Sequence, residues 1–155
     1  IQKQCHRLPS IRLSLIELFR IHKLWSKNKR AHTLLNGYFS HDEEVFAERI
    51  WGTFFMTKKS VLNCFPEKKL SETFFMYGED TEWCYIINRR INKQILYFPQ
   101  TKIIHKVGAS NYKNKSNSII QNRNTFVRIY YGKYYGFILQ IINFALKPHF
   151  KTGKK

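Results

Sequence analysis

Acidic residues run out early in this chain. All ten Asp and Glu lie at or before Glu82, while residues 83–155 carry fourteen Lys and Arg and no acid. The whole chain sets 27 cations against 10 anions, a formal charge of +17, which calls for a polyanionic partner or an acidic membrane surface. Cysteine is equally scarce. Cys5, Cys64 and Cys84 are an odd number at wide spacing with no Cys-x-x-Cys, which excludes a disulfide framework and a cysteine zinc site and suits a reducing compartment. No long apolar run occurs: the longest, residues 134–146, falls short of the roughly 20 residues a spanning helix requires. A signal-peptide pattern and an initiator Met are also missing, so the start of the polypeptide is expected to lie upstream of Ile1. No repeat of useful period is found.

What is present suits a folded domain. Apolar residues make up 43% and aromatics 16% of 155 residues, enough for one domain with a real core. Ser10 is placed to cap a helix, and apolar positions 11, 15, 18, 19 and 25 form one stripe over residues 11–25. Residues 26–30 read as a basic loop, and residues 31–44 have no clear period. His41, Asp42, Glu43 and Glu44 imitate a metal cluster, but adjacent residues point in different directions and the segment reads as a solvated loop. Trp51-Gly52-Thr53-Phe54-Phe55-Met56 reads as a strand whose glycine marks a close approach. Residues 58–64 suggest a short helix, residues 94–98 a strand ended by Pro99, and residues 102–107 a second strand ended by Gly108. Residues 111–118 are polar, residues 119–147 are helical in pattern with a break near Gly132 or Gly136, and the tail from Pro148 is basic and loose.

The most informative stretch is Phe74-Phe75-Met76-Tyr77-Gly78-Glu79-Asp80-Thr81-Glu82-Trp83-Cys84. Trp83, Ile86, Ile87 and Ile91 recur at helical steps, so Glu79, Asp80 and Glu82 occupy a first helical turn, where the backbone dipole favours anions. Gly78 permits a sharp bend before it. An acidic helix start is common in its own right; an apolar lead-in of this kind puts these acids at the rim of a cleft.

Taken in order, these pieces resemble the C-terminal half of a bacterial family 2 glycosyltransferase of the rhamnosyltransferase-like kind. The resemblance is carried by Ile1-Gln2 with Arg7 to Ser10, by Trp51 to Met56, by Phe74 to Cys84, by Tyr97 through Pro99 to His105, and by Asn122 to Gly132. It covers nearly the whole chain, and the Gly-Glu-Asp block is its most specific part. It implies an α/β chain with a partial GT-A glycosyltransferase fold, the N-terminal nucleotide-binding βαβ half missing and amphipathic helices at the C-terminus. Residues 1–118 would be the acceptor-side catalytic half and residues 119–155 a basic, membrane-interfacial helical segment.

The activity it implies is inverting transfer of a sugar from a nucleotide-diphosphate donor to a saccharide or lipid-linked acceptor, in cell-surface polysaccharide synthesis. Asp80 would take the acceptor hydroxyl's proton. Glu79 would bond the acceptor or raise its neighbour's proton affinity. Trp51, Gly52, Thr53 and Glu82 would line the donor or acceptor pocket, with Trp83 more at home in the core. A divalent cation, Mg2+ or Mn2+, would offset the leaving diphosphate, with His105 as a ligand. Such enzymes hold the metal on an Asp-x-Asp in the donor half. Here Asp42 and Asp80 are the only aspartates, so transfer by these 155 residues alone is not expected.

Residues 119–147 interleave apolar and aromatic side chains with Arg123, Arg128 and Lys133, a pattern that suits either the domain's own core or, beyond Tyr134, a membrane interface. The expected location is cytoplasmic, peripheral to the inner face of a bacterial plasma membrane. The rival readings are a nucleic-acid-binding module, motivated by charge and interleaved tyrosines, and a non-catalytic membrane-peripheral domain. No helix-turn-helix, zinc-finger, RNA-recognition or KH pattern supports the first, and nucleic acid is not an expected partner.

Overall fold

The computed structural model describes residues 3–105 and 115–151. The chain is mixed α/β, with helices predominating over two small antiparallel ribbons. In the first, β1 (Cys5–His6) pairs with β3 (Arg49–Ile50); in the second, β2 (Val45–Ala47) pairs with β4 (Ile95–Tyr97). Among the described residues six α-helices accompany them: α1 (Ile11–Leu18), α2 (Lys27–Leu34), α3 (Lys59–Leu62), α4 (Glu79–Tyr85), α5 (Lys115–Tyr131) and α6 (Lys133–Lys151). A π-helical turn, Ile86–Arg90, extends α4.

Local chemistry explains several boundaries. Ser10 Oγ accepts from the Leu13 amide at 3.1 Å and starts α1. The stripe expected to continue to Trp25 stops at Leu18, because Arg20 turns left-handed at φ 55° and a 3-10 turn, Ile21–Leu24, follows. Phe19, assigned to that stripe, is instead exposed, and Ile16 is the buried residue of α1. Residues 27–30, read as loop, open α2: the Ser26 hydroxyl caps Lys29 at 3.3 Å, and the Arg7 guanidinium bonds the carbonyls of His32 and Thr33 at the other end. The α5–α6 break falls at Gly132, whose φ of +90° suits glycine. Helix α5 begins at Lys115, inside the stretch read as polar linker, and α6 continues through Pro148 to Lys151. The rest of the polar stretch, residues 111–114, and the tail beyond 151 lie outside the described residues.

Two strand expectations are overturned. Residues 51–56 form turns and irregular chain after β3, which is only two residues long because its partner β1 is equally short. Residues 102–105 are exposed and irregular; 106 and 107 lie outside the described residues. In the loop at 41–44, His41 is buried as a brace: its Nδ1 donates to Phe39 O at 2.7 Å, and its Nε2 accepts from the Gln4 and Cys5 amides at 3.1 and 3.3 Å. Asp42, Glu43 and Glu44 face solvent, as a solvated loop requires.

Three apolar clusters hold these pieces together. Leu8, Phe74, Phe126, Val127 and Leu139 join the N-terminal segment, the lead-in to α4, α5 and α6. Phe65, Cys84, Ile86, Ile87 and Ile95 seat α4 on β4, and Cys5, Leu35, Phe39 and Ala47 close the ribbons over α2. The segment expected to stand apart from residue 119 onward is therefore partly core: Leu139 and Ile142 are buried and the Tyr135 hydroxyl accepts from the Ile11 amide at 2.9 Å.

Burial pushes the Cys5 and Cys84 thiols up to about 12, so both remain neutral, while Cys64 is exposed. A thiol-specific chromogenic reagent is expected to titrate Cys64 alone in the native protein and all three cysteines after denaturation. Fast reaction of a second native thiol would contradict this packing.

Candidate functional site

The acidic block enters its helix through an enforced bend. Tyr77 and Gly78 take φ of 66° and 136° in succession. A Cβ on Gly78 would make ordinary contact with the Asn122 Cβ at 3.4 Å and the Phe74 ring at 3.5 Å, so glycine is favoured by the backbone angle and not by lack of space. The Asn122 amide donates to Met76 O at 2.7 Å, pinning α5 across the bend. The first helical bond then runs from the Glu82 amide to Gly78 O at 3.0 Å.

The three carboxylates of this turn have three environments. Asp80 is half-buried, and its Oδ1 accepts from the Thr81 hydroxyl at 3.1 Å. That hydroxyl in turn accepts from Arg49 Nη1 at 3.1 Å, linking the carboxylate to a guanidinium through one side chain. Arg49 is desolvated, which lowers its proton affinity, and the charge of Asp80 acts in the opposite sense. Glu79 is half-buried, with Oε2 enclosed and without a hydrogen-bond partner among the described residues. Its carboxyl is raised above the ordinary range chiefly by burial; the Asp80 charge adds to this and the backbone N–H groups of residues 77–79 oppose it. Glu82, expected to line a pocket, is fully buried: its Oε1 accepts from the Tyr130 hydroxyl and its Oε2 has no partner among the described residues. That carboxylate belongs to the packing between α4 and α5.

The segment after β3 reaches the same place. A Cβ on Gly52 would lie 3.6 Å from both the Asp80 Cβ and the Trp83 ring, so the backbone at Gly52 passes directly beside Asp80. Residue 52 is in a turn and not a strand, and a side chain there would make only ordinary contact with Asp80 and Trp83. Trp51 is half-buried and stacks on His6, with centroids 5.7 Å apart and planes 2° apart, and Thr53 is half-buried. Trp83 is half-buried between Gly52 and Ser71, donating from Nε1 to Ser71 O at 2.7 Å.

Glu48, Asn88 and Arg49, which were not anticipated, organise the surroundings. Glu48 accepts from the Leu8 amide at 3.0 Å and from Arg89 at 3.1 Å. Asn88 donates to Glu48 O at 2.8 Å and Cys84 O at 2.7 Å. Arg49 and Arg123, the latter beside Asn122 on α5, are close enough for their charges to repel. No sequence signal identified Glu48 or Arg49, since the contacts of both run to residues some 30 to 40 positions away.

Metal binding finds no ready donor set here. Among the described residues no three His, Cys, Asp or Glu side chains converge, His105 is exposed in irregular chain, and Asp80 is flanked by guanidinium. His105 would therefore need donors from beyond the described residues to hold a divalent cation. Comparison with family models, with curated proteins and with solved structures returned no match.

The raised carboxyl of Glu79 has a stability consequence. The folded state holds this proton more tightly than the unfolded chain, so the contribution is fully present below the unfolded carboxyl range and is lost as pH rises through the folded value. Glu79→Gln is expected to raise the thermal midpoint at neutral pH, with the gain shrinking toward roughly pH 4. A pH-independent gain in thermal denaturation series would contradict this assignment.

Proposed function

We propose that this chain is the acceptor-side half of an inverting family 2 glycosyltransferase of GT-A type, with Asp80 as general base. The observation that carries this reading is the convergence of Asp80 with the Gly52 backbone. A half-buried carboxylate, oriented by Thr81 and neighboured by main chain lacking a side chain, is the kind of group that takes a proton from an acceptor hydroxyl. In the reaction the acceptor oxygen gives its proton to Asp80 and attacks the anomeric carbon. The bond from that carbon to the donor's diphosphate oxygen breaks, its electron pair leaves with the diphosphate, and configuration inverts. Glu79, whose proton affinity is raised chiefly by burial, bonds or orients the acceptor beside the base.

The donor is a nucleotide-diphosphate sugar bound by the half that precedes these residues in such enzymes. In the full-length polypeptide, Asp80→Asn is expected to lower transfer by about 10²- to 10⁴-fold while donor binding persists, measured by release of nucleoside diphosphate. Undiminished transfer would leave a non-catalytic role for this domain.

A peripheral membrane location accords with the exposed side of α6. Among the described residues no helix is long and apolar enough to cross a membrane. Yet Tyr134, Phe137, Ile138, Ile141 and Phe144 form an exposed apolar stripe, Phe137 and Phe144 being 63% and 73% exposed. Arg128 and Lys133 flank a groove of about 500 Å³ at its start. This is the composition of a helix lying in an anionic interface, where a lipid-linked acceptor resides. Leu139 and Ile142 of the same helix are buried, so the stripe is probed by substitution of its exposed side chains alone. Replacing Phe137 and Phe144 together with Ser is expected to weaken co-sedimentation with phosphatidylglycerol-containing vesicles at least about ten-fold, with the thermal midpoint retained. Equal sedimentation of variant and wild type would refute this orientation.

A further inference from the structure

Helices α5 and α6 bring two cations to one groove. Arg128 shares a face of α5 with Asn124 and Thr125, four and three positions before it. On α6, Phe137 shares a face with Lys133, four positions before it, and Gln140, three after. All six line the same hollow of about 500 Å³, and no carboxylate lines it. Arg128 and Lys133 are exposed, and no ion pair engages either among the described residues. No acid follows Glu82 in sequence, so neither helix offers one. Tyr134 and Phe137 also begin the exposed stripe that continues through Ile141 and Phe144. A cationic, hydrogen-bonding hollow thus adjoins an apolar strip on the same helix.

We propose that this groove binds a single anionic glycerophospholipid by its head group. The phosphate lies between Arg128 and Lys133, each of which can give it a charge-assisted hydrogen bond. Asn124, Thr125 and Gln140 supply neutral donors and acceptors for hydroxyls of the head group. The acyl chains follow from Phe137 toward Ile141 and Phe144, where apolar area is open to be covered. A free phosphate would use the cations alone and a purely apolar ligand the stripe alone; an amphiphile uses both. The inference rests on the reading that α6 lies in a membrane interface, and goes beyond it by assigning a discrete, saturable site.

The test is calorimetric titration with a short-chain phosphatidylglycerol kept monomeric, at roughly physiological ionic strength. Wild type is expected to bind it with saturation. Arg128→Gln combined with Lys133→Gln is expected to bind at least about ten-fold more weakly. Lys93→Gln combined with Lys102→Gln removes the same charge from exposed positions outside the groove and is expected to change affinity less than about two-fold. Gln140→Ala leaves the charge alone and is expected to weaken binding about three- to ten-fold. Inorganic phosphate is expected to bind at least about ten-fold more weakly than the lipid. The altered side chains are exposed, so thermal midpoints should match wild type. Equal losses in the two charge pairs, phosphate binding as tight as lipid, or no saturable binding would each overturn the proposal. No saturable binding, together with reduced vesicle sedimentation of the Phe137→Ser, Phe144→Ser variant, would leave the interfacial reading standing. Saturable binding with unchanged sedimentation would keep the site and remove that reading.

Discussion

A carboxylate sealed from water governs this structure. Glu82 is fully buried on α4, and the hydroxyl of Tyr130 on α5 holds one of its oxygens. Burying such a group without a partner costs several kcal/mol, so α4 and α5 cannot separate without losing the one described bond that offsets that cost. The surrounding contacts act in the same direction. Arg90 stacks over the Tyr130 ring at 5.1 Å, and the Tyr85 hydroxyl donates to Tyr130 O at 3.3 Å. With α4 fixed in rotation by Glu82, the residue two positions earlier has its direction set as well. Asp80 therefore faces Gly52 and Arg49 as a consequence of what Glu82 is bound to.

This explains what could be read from sequence and what could not. The acidic helix, its glycine bend, the Ser10 cap, β4 and the Gly132 break are each set by residues within a few positions, and the sequence displays them. Residues 51–56 had the composition of a strand but no partner of matching length, since β1 contributes two residues to β3. Helix α2 was missed for the opposite reason. It lacks an apolar stripe and is held at its ends by Ser26 and by Arg7, some 25 positions away. At the site, Asp80, Glu79 and Gly52 were legible as chemistry. The use of Glu82 for packing and of Arg49 for charge was not, because each depends on a partner 30 or more positions distant.

The two apolar faces of α6 show how one sequence pattern can serve two purposes. Tyr135, Leu139 and Ile142 point toward α1 and the core, whereas Tyr134, Phe137, Ile141 and Phe144 point outward. An all-round apolar helix is ambiguous from sequence, because periodicity identifies a face only when the remaining faces are polar. Here the packed face was hidden by the exposed one. Gly136 lies against α5, where a Cβ would make ordinary contact with Val127 at 3.4 Å.

These two helices set the relation between the charged site and the apolar stripe. Asn122 touches the bend before Asp80, while Arg128 and Tyr134 border the groove at the α5–α6 junction. On the sugar-transfer reading that connection has a use. The exposed stripe runs along the length of α6, so α6 lies in the plane of the interface, with α5 packed on it. A base on a free loop could take any direction toward that surface. A base fixed by a buried carboxylate, on a helix held against α5, has its direction toward the surface set by the packing of these helices.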